Sequence, residues 1–456
     1  MPNASILREY GRGAHGFLCL EGLPVLASNR DPTMYEFGAR PSTDKELYVS
    51  IHSGGHTVSP ERYMETVAAL QPDLYVTLCD EVTADAKPKR VAASVKRTTA
   101  WLEACLRLHA THQQQPQQEQ EQQPPPTGPQ DAPQAEPADQ APASTSAAGA
   151  VRNAADGATA SSGGGPLAGS LALAALAGGA LPAERTRAAA AVGERDGVGG
   201  YALCGLGTGE APEDRPALIA ASLDALPGGS LDSRPVFASG LVSSPEELLE
   251  AVAAGVDLLD CAYVAQVTAG GYALTFPLRP PPDWQPAQEG TTSAAADTNG
   301  AAAAAAGPAP DASIGADDTK INLWSTSYRL DKGPLLPGCG CFACRHHTRA
   351  YTHHLLNTHE MLADVLLEAH NTSHTMAFCQ AIREAISEGR LERYRAWFRS
   401  LRSAPLVAAP RRGGTAKRRA EGDEEAGTEA GAAAAAGCAA PAGAGRASGP
   451  AKWVRV

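Results

Sequence analysis

Pro235-Val236-Phe237-Ala238, Ser244-Pro245-Glu246-Glu247 and Val256-Asp257-Leu258-Leu259-Asp260-Cys261 follow one another closely, and their order decides the fold. The first is a short apolar strand. The second is a capping box with proline at the first helical position, and it opens a helix through Val252. The third is a strand that ends on Asp260-Cys261. Strand, polar loop, helix, strand is the βαβ unit of a parallel sheet.

The same rhythm runs upstream. Leu47-Tyr48-Val49-Ser50-Ile51 reads as a strand, ending at His52 before Ser53-Gly54-Gly55. Ser59-Pro60-Glu61 opens a helix with Met64, Val67, Ala68 and Leu70 on its apolar face. Asp73 to Leu78 is the next strand and ends on Cys79-Asp80-Glu81. Residues 90–108 form a helix with Val91, Val95, Leu102 and Cys105 in register. Gly200 to Cys204 is a strand, followed by the loop Gly205 to Glu210 and a helix from Pro216 to Leu226. His52, Asp80, Gly205 and Asp260 thus collect just after strands. In a (β/α)8 barrel those ends face the active site. That α/β barrel is the expected fold, with a doubly wound open sheet as the fallback. Gly205-Leu206-Gly207-Thr208-Gly209 lacks a Walker lysine, and Glu210 would repel a phosphate, so the loop is no nucleotide fingerprint.

Much of the 456-residue chain cannot build a core. Residues 112–165 are rich in Gln, Pro, Ala and Gly, 281–319 in Pro, Ala, Gly and Asp, and 404–456 are a tail rich in Ala and Gly. Such segments bury too little apolar surface to offset chain entropy and are expected to be disordered. The expected organisation is a divergent segment 1–45, barrel parts at 46–111 and 166–280, and a closing C-terminal unit at 320–403. The formal charge of −12 argues against broad nucleic-acid contact, although a local basic face is compatible with it. Ten cysteines without a secretory apolar segment at the start fit a reducing compartment. No apolar run approaches the length of a membrane span. The basic clusters Pro410-Arg411-Arg412 and Lys417-Arg418-Arg419 read as solvated tail, with a nuclear signal as the other reading.

The densest chemistry lies at Gly338-Cys339-Gly340-Cys341-Phe342-Ala343-Cys344, with His370-Asn371 downstream. Three thiols so close cannot all pair with one another, but they can converge on a metal. Three sulfurs and one imidazole make a closed tetrahedral Zn2+ site, which is structural because no position is left for water. His346, His347, His353, His354 and His359 are rival ligands, each better read as solvated or capping. The intervening residues are helix-forming, and one straight helix would carry His370 about 30 Å away at 1.5 Å per residue. A break is therefore expected near Asn357, where Asn357 and Glu360 form a capping-box-like start of a second helix.

The run from Cys339 through Thr348-Arg349-Ala350-Tyr351-Thr352-His353-His354-Leu355 and His370-Asn371 to Ile382-Arg383-Glu384-Ala385-Ile386 resembles the tRNA-guanine transglycosylases. The likeness spans about residues 46–398. It implies a (β/α)8 barrel with an inserted zinc subdomain, exchange of a guanine in tRNA for a modified base, and Cys339, Cys341, Cys344 and His370 as ligands of one Zn2+. The active-site pattern is only partly kept. The family's Asp before Ser-Gly-Gly is His52 here. Asp80 matches a base-recognition position. The Gly-Gly-Leu loop has become Cys204-Gly205-Leu206. Asp260, before Cys261, matches the nucleophile that attacks ribose.

The next run, Val264 to Gly271, lacks the two arginines that bind the tRNA backbone. Gln266-Val267-Thr268, Gly271, Ala273 to Phe276 and Ile321-Asn322-Leu323 instead are similar to the family's non-catalytic eukaryotic subunits. That likeness implies no confident catalytic residue and a heterodimer with a catalytic queuine tRNA-ribosyltransferase subunit. It implies tRNA contact through the complex and support for exchange of the wobble guanine of GUN-anticodon tRNAs for queuine. The expected location is the cytoplasm, with peripheral attachment to the mitochondrial outer membrane as a variant of it. Residues 1–45 supply no convincing first barrel unit. The alternatives are a transglycosylase active through Asp260 and a zinc-stabilised scaffold protein.

Overall fold

The structure is a computed structural model and describes residues 4–33, 40–51, 54–114, 165–193, 195–285, 317 and 319–401. Helices α1 (Ala4–Tyr10) and α2 (Gly13–Leu18) precede strand β1 (Leu26–Ala27). Strands β2 (Leu47–Ile51) and β3 (Gly54–Val58) lead to α3 (Pro60–Leu70), β4 (Leu74–Val76) and α4 (Pro88–Gln114). Then come β5 (Leu171–Leu176), α5 (Pro182–Val192), β6 (Val198–Leu203), α6 (Arg215–Leu223) and α7 (Ser230–Ser233). Strand β7 (Val236–Ala238), α8 (Pro245–Ala253), β8 (Leu258–Leu259) and α9 (Ala262–Ala269) complete this part.

Six strands form one parallel sheet in the order β1-β4-β5-β6-β7-β8. The ladder runs from Leu26↔Leu74 to Leu74↔Leu171, and on to Tyr201↔Val236 and Phe237↔Leu258. The sheet curls: Leu26 of one edge and Leu258 of the other both pack on the cluster of Val76, Leu173, Ala175, Ala202 and Phe237. Among the described residues the sheet is thus a six-stranded curled half-barrel, the coarser part of the closed α/β barrel expected above. A crevice of about 310 Å³ separates the edges, lined by Leu26, Leu258, Leu259 and helical Cys379 and Ile382.

Two departures have local causes. The segment 1–45 carries β1, so it does contribute an edge strand of the parallel sheet. Its two residues give too short a period to recognise. Strand β2 exists where expected but pairs antiparallel with β3, Ile51 opposite Gly54, outside the parallel sheet. His52 itself lies outside the described residues.

The helices obey their caps. Ser59 accepts from the Arg62 N–H, and Ser244 from the Glu247 N–H. Met64, Val67, Ala68 and Leu70 are buried, as are Val91, Val95, Leu102 and Cys105. The expected insertions and tail fall largely outside the described residues. Around the first, Gly165 N–H donates to Gln113 O at 3.0 Å, so the ends of the segment 115–164 meet. Excising residues 118–161 behind a short Gly-Ser linker is expected to leave the unfolding free energy from urea titration within about 1.5 kcal/mol of the parent, because each doubling of loop length changes the closure cost by only about 0.6 kcal/mol.

The C-terminal unit adds the hairpin of β9 (Tyr272–Leu274) and β10 (Lys320–Asn322), then α10 (Phe342–His346), α11 (Arg349–Asn357), α12 (Leu362–Ser387) and α13 (Leu391–Ser400). The second half of α12 places Phe378, Ala381, Ile382 and Ala385 in the main core beside Val236 and Leu249. Its first half, with Leu366 and Leu367, packs with Leu323, Tyr328, Leu335 and Leu355 in a smaller core. Helix α12 thus bridges both units.

Candidate functional site

Two groups of sequence-singled residues are brought together, one in each unit. In the C-terminal unit the Sγ atoms of Cys339, Cys341 and Cys344 lie 3.7, 3.5 and 3.4 Å from His370 Nδ1. All four ligand atoms lie within 4.8 Å of one another, an arrangement that could hold a metal ion. The chain break that permits this falls at Asn357, as the spacing required. The capping box does not form, however. Asn357 is the last residue of α11 and donates back to His353 O at 2.8 Å, and α12 starts only at Leu362. The reversal passes through His359 in the left-handed region at φ +56°.

Local contacts prepare each ligand. Cys341 caps α10, its sulfur accepting from Cys344 N–H at 3.4 Å, and Cys344 sulfur accepts from Leu336 N–H at 3.4 Å. His370 is fully buried. Its Nε2–H donates to Leu274 O at 2.8 Å, which leaves the Nδ1 lone pair facing the sulfurs. Such a carbonyl partner fixes tautomer and ring orientation in metal sites. Burial also holds the His370 pKa down, so the imidazole is neutral and able to ligate. Burial pushes the Cys344 thiol up to about 12, and a divalent cation offsets that by pairing with the thiolate. Asn371 completes the motif: its Oδ1 accepts from Leu274 N–H at 2.9 Å, and its Nδ2 donates to Tyr272 O at 3.0 Å and Thr268 Oγ1 at 3.1 Å. His370 and Asn371 together pin β9 to α12. The rival histidines do not join. His346, His354 and His359 are exposed, and His353 is buried against Leu323 O.

In the main unit Asp80, Asp260 and Cys204-Gly205-Leu206 sit just beyond the C-terminal ends of β4, β8 and β6, as expected. Asp80 takes both guanidinium nitrogens of Arg90, each at 2.7 Å, and Nη1 of Arg97 at 2.6 Å. The carboxylate is thereby anchored to α4. Asp260 Oδ2 accepts from Gly240 N–H and Oδ1 from Ala262 N–H at 3.0 Å, so both oxygens hold backbone.

Sequence reasoning missed three residues here. Arg30, from the segment read as divergent, reaches Glu81 Oε1 at 3.3 Å and Leu206 O at 3.0 Å. A Cβ on Gly240, which has φ +66°, would lie 2.4 Å from the Arg30 guanidinium, so the arginine packs flat on that glycine. Glu81 accepts from Gly205 N–H at 2.8 Å. Arg185 is fully buried and donates to Gly179 O and Gly205 O. Burial lowers the Arg30 pKa, but the neighbouring Glu81 and Asp260 carboxylates more than offset it, and the guanidinium stays charged. An arginine and its carboxylate partner thus brace the strand-end site, and Arg30 and Asp260 line the 310 Å³ crevice. Nothing in the pattern around Arg30 marks it beforehand, whereas Glu81 stands directly beside Asp80.

A family model described as queuine tRNA-ribosyltransferase matches residues 1–131 and 127–404. Among curated proteins, the queuine tRNA-ribosyltransferase accessory subunit 2 of Danio rerio is 31% identical over 400 residues, covering 86% of this chain and 80% of the relative. The protein of the same description from Homo sapiens is 30% identical over 397 residues, covering 85% and 80%. The queuine tRNA-ribosyltransferase of Moorella thermoacetica is 27% identical over 400 residues, covering 87% and 79%.

Proposed function

The chain belongs to the queuine tRNA-ribosyltransferase family, and from that premise we propose that it is the non-catalytic subunit of a heterodimer. Its role is queuosine modification of tRNA: it supports a catalytic partner that exchanges the wobble guanine of GUN-anticodon tRNAs for queuine. The observation that carries this reading is the likeness to accessory subunits 2 over 86% and 85% of the chain, together with the loss of both backbone-binding arginines across Val264 to Gly271. Both oxygens of Asp260 orient backbone N–H groups and Asp80 is committed to two arginines, so each carboxylate has a structural use in this chain. We take the curled sheet as the retained part of a (β/α)8 barrel, and the ion of the Cys3His cluster as one structural Zn2+. We propose a cytoplasmic complex, with peripheral attachment to the mitochondrial outer membrane as its variant. Separately, no helix among the described residues is long and apolar enough to cross a membrane.

Asp260→Asn should therefore leave guanine exchange by the reconstituted heterodimer within about twofold of the parent. A fall of a hundredfold or more, about 2.7 kcal/mol of transition-state stabilisation, would move the chemistry into this chain.

The partner face is best placed on the metal-binding unit. Phe342, Met361, Leu362 and Val365 are exposed there, with Met361 at 72% and Val365 at 59%. Clustered exposed apolar side chains of this kind mark protein interaction sites. Met361→Glu with Val365→Glu is expected to weaken co-elution with the catalytic subunit at least tenfold, with metal content and melting temperature unchanged. Undiminished co-elution would place the interface elsewhere.

A further inference from the structure

A second cluster of metal-ligating side chains lies at the mouth of the sheet. The ligand atoms of Cys79, Glu81 and Cys204 all lie within 4.8 Å of one another. Cys79 and Glu81 follow β4, Cys204 follows β6, and β5 separates the two strands. Both thiols are buried, Cys79 at 2% and Cys204 at 8% exposure. In a tetrahedral site with Zn–S distances of about 2.3 Å, two sulfurs stand about 3.8 Å apart, which is within that spacing.

The surroundings are those of a held ligand set. Thr98 Oγ1 donates to Cys79 Sγ at 3.8 Å. Glu81 is oriented by Gly205 N–H at 2.8 Å and by Arg30 at 3.3 Å. Outer partners of this type orient ligating side chains in metal centres. Arg185 lies beside the group: its guanidinium is fully buried, donates to the carbonyl oxygens of Gly179, Cys204 and Gly205, and leaves Nη1 without a hydrogen-bond partner. Two thiolates, one carboxylate and a divalent ion carry one net negative charge, the same as two neutral thiols and the carboxylate, so binding with release of both thiol protons leaves the charge beside Arg185 and Arg30 unchanged.

We propose that Cys79, Cys204 and Glu81 bind a second thiophilic divalent cation, Zn2+, at the strand-end site that Arg30 braces. Binding forms two Zn–S bonds and one Zn–O bond, and the two thiol protons leave to solvent. Three protein ligands leave a fourth coordination position for water. The carboxylate makes a metal a better fit than a plain disulfide, because a disulfide has no use for a third ligand atom. The site stands apart from the Cys3His cluster and does not depend on the heterodimer reading.

The test is zinc stoichiometry of the full chain by native mass spectrometry and elemental analysis, in reductant and buffered free Zn2+. The parent is expected to hold two Zn2+ per chain. Cys79→Ala with Cys204→Ala should hold one. Glu81→Gln, which keeps a hydrogen-bond acceptor for Gly205, should bind the second ion at least tenfold more weakly while circular dichroism stays unchanged. A parent that saturates at one Zn2+, with the count unmoved by either variant, would overturn the proposal. So would recovery of a Cys79–Cys204 disulfide peptide with one Zn2+ per chain. Neither readout involves tRNA or the partner, so this test can fail without touching the proposed role in exchange.

Discussion

Replacing Cys341 with serine is expected to lower bound zinc by one ion per chain and to unfold the C-terminal unit. Cys341 is both a candidate ligand and the cap of α10, and serine is itself a good helix cap, so the change removes the metal bond while sparing the helix terminus. The loss is large because the unit's own core is small. Leu323, Tyr328, Leu335, Leu355, Leu366 and Leu367 surround the cluster, with Cys341 and Cys344 packed against them. Structural zinc supplies about 10–16 kcal/mol of apparent binding free energy in small zinc domains, and that energy is folding energy. The second half of α12 belongs to the main core and should stay helical. Limited proteolysis should then show new cuts between residues 325 and 360 while the sheet remains protected. A variant that keeps its zinc and its protease resistance would remove Cys341 from the ligand set.

Replacing Asp80 with asparagine should cost about 3 kcal/mol or more of stability. The side chain is 2% exposed and anchors both Arg90 and Arg97, so its neutralisation removes the carboxylate partner of Arg90 and leaves Arg97 only the exposed Asp44. Asp44→Asn is the control. That carboxylate also meets Arg97, at 2.8 Å, but it is 90% exposed, and exposed pairs contribute little. Urea unfolding of both variants measures the difference. The family resemblance gave Asp80 a base-reading part. On that view Asp80→Asn would change exchange by the heterodimer while leaving the unfolding midpoint in place. The ion pairs on α4 predict the reverse.

Chemistry with a fixed spacing was legible in the chain. Cys339, Cys341, Cys344 and His370 converge as the cluster required, and the distance from Cys344 to His370 forced a break that falls at Asn357. Ser59 and Ser244 cap their helices because a hydroxyl before proline at the first helical position has one good use. The alternating strand and helix signals around residues 235–261 give parallel pairing as read.

What escaped was set by long-range contact. Strand β5, Leu171-Ala172-Leu173-Ala174-Ala175-Leu176, went unread because alanine and leucine favour helix, and only burial between β4 and β6 makes the segment a strand. Strand β2 carries a strand pattern that does not say which sheet it joins, and its partner proved to be β3. Arg30 sits in a segment with no periodicity, and its place between Glu81 and Gly240 depends on a curl that only the folded sheet creates. The Asn357 cap failed because its side-chain amide turned back to His353 O within the preceding helix.

The most direct measurement is exchange of labelled guanine into GUN-anticodon tRNA by this chain alone, by a catalytic subunit alone, and by the two mixed. Turnover in the mixture well above that of either protein alone, with none from this chain, is the result expected of a non-catalytic partner. Turnover by this chain alone would contradict it and return Asp260 to the position of nucleophile.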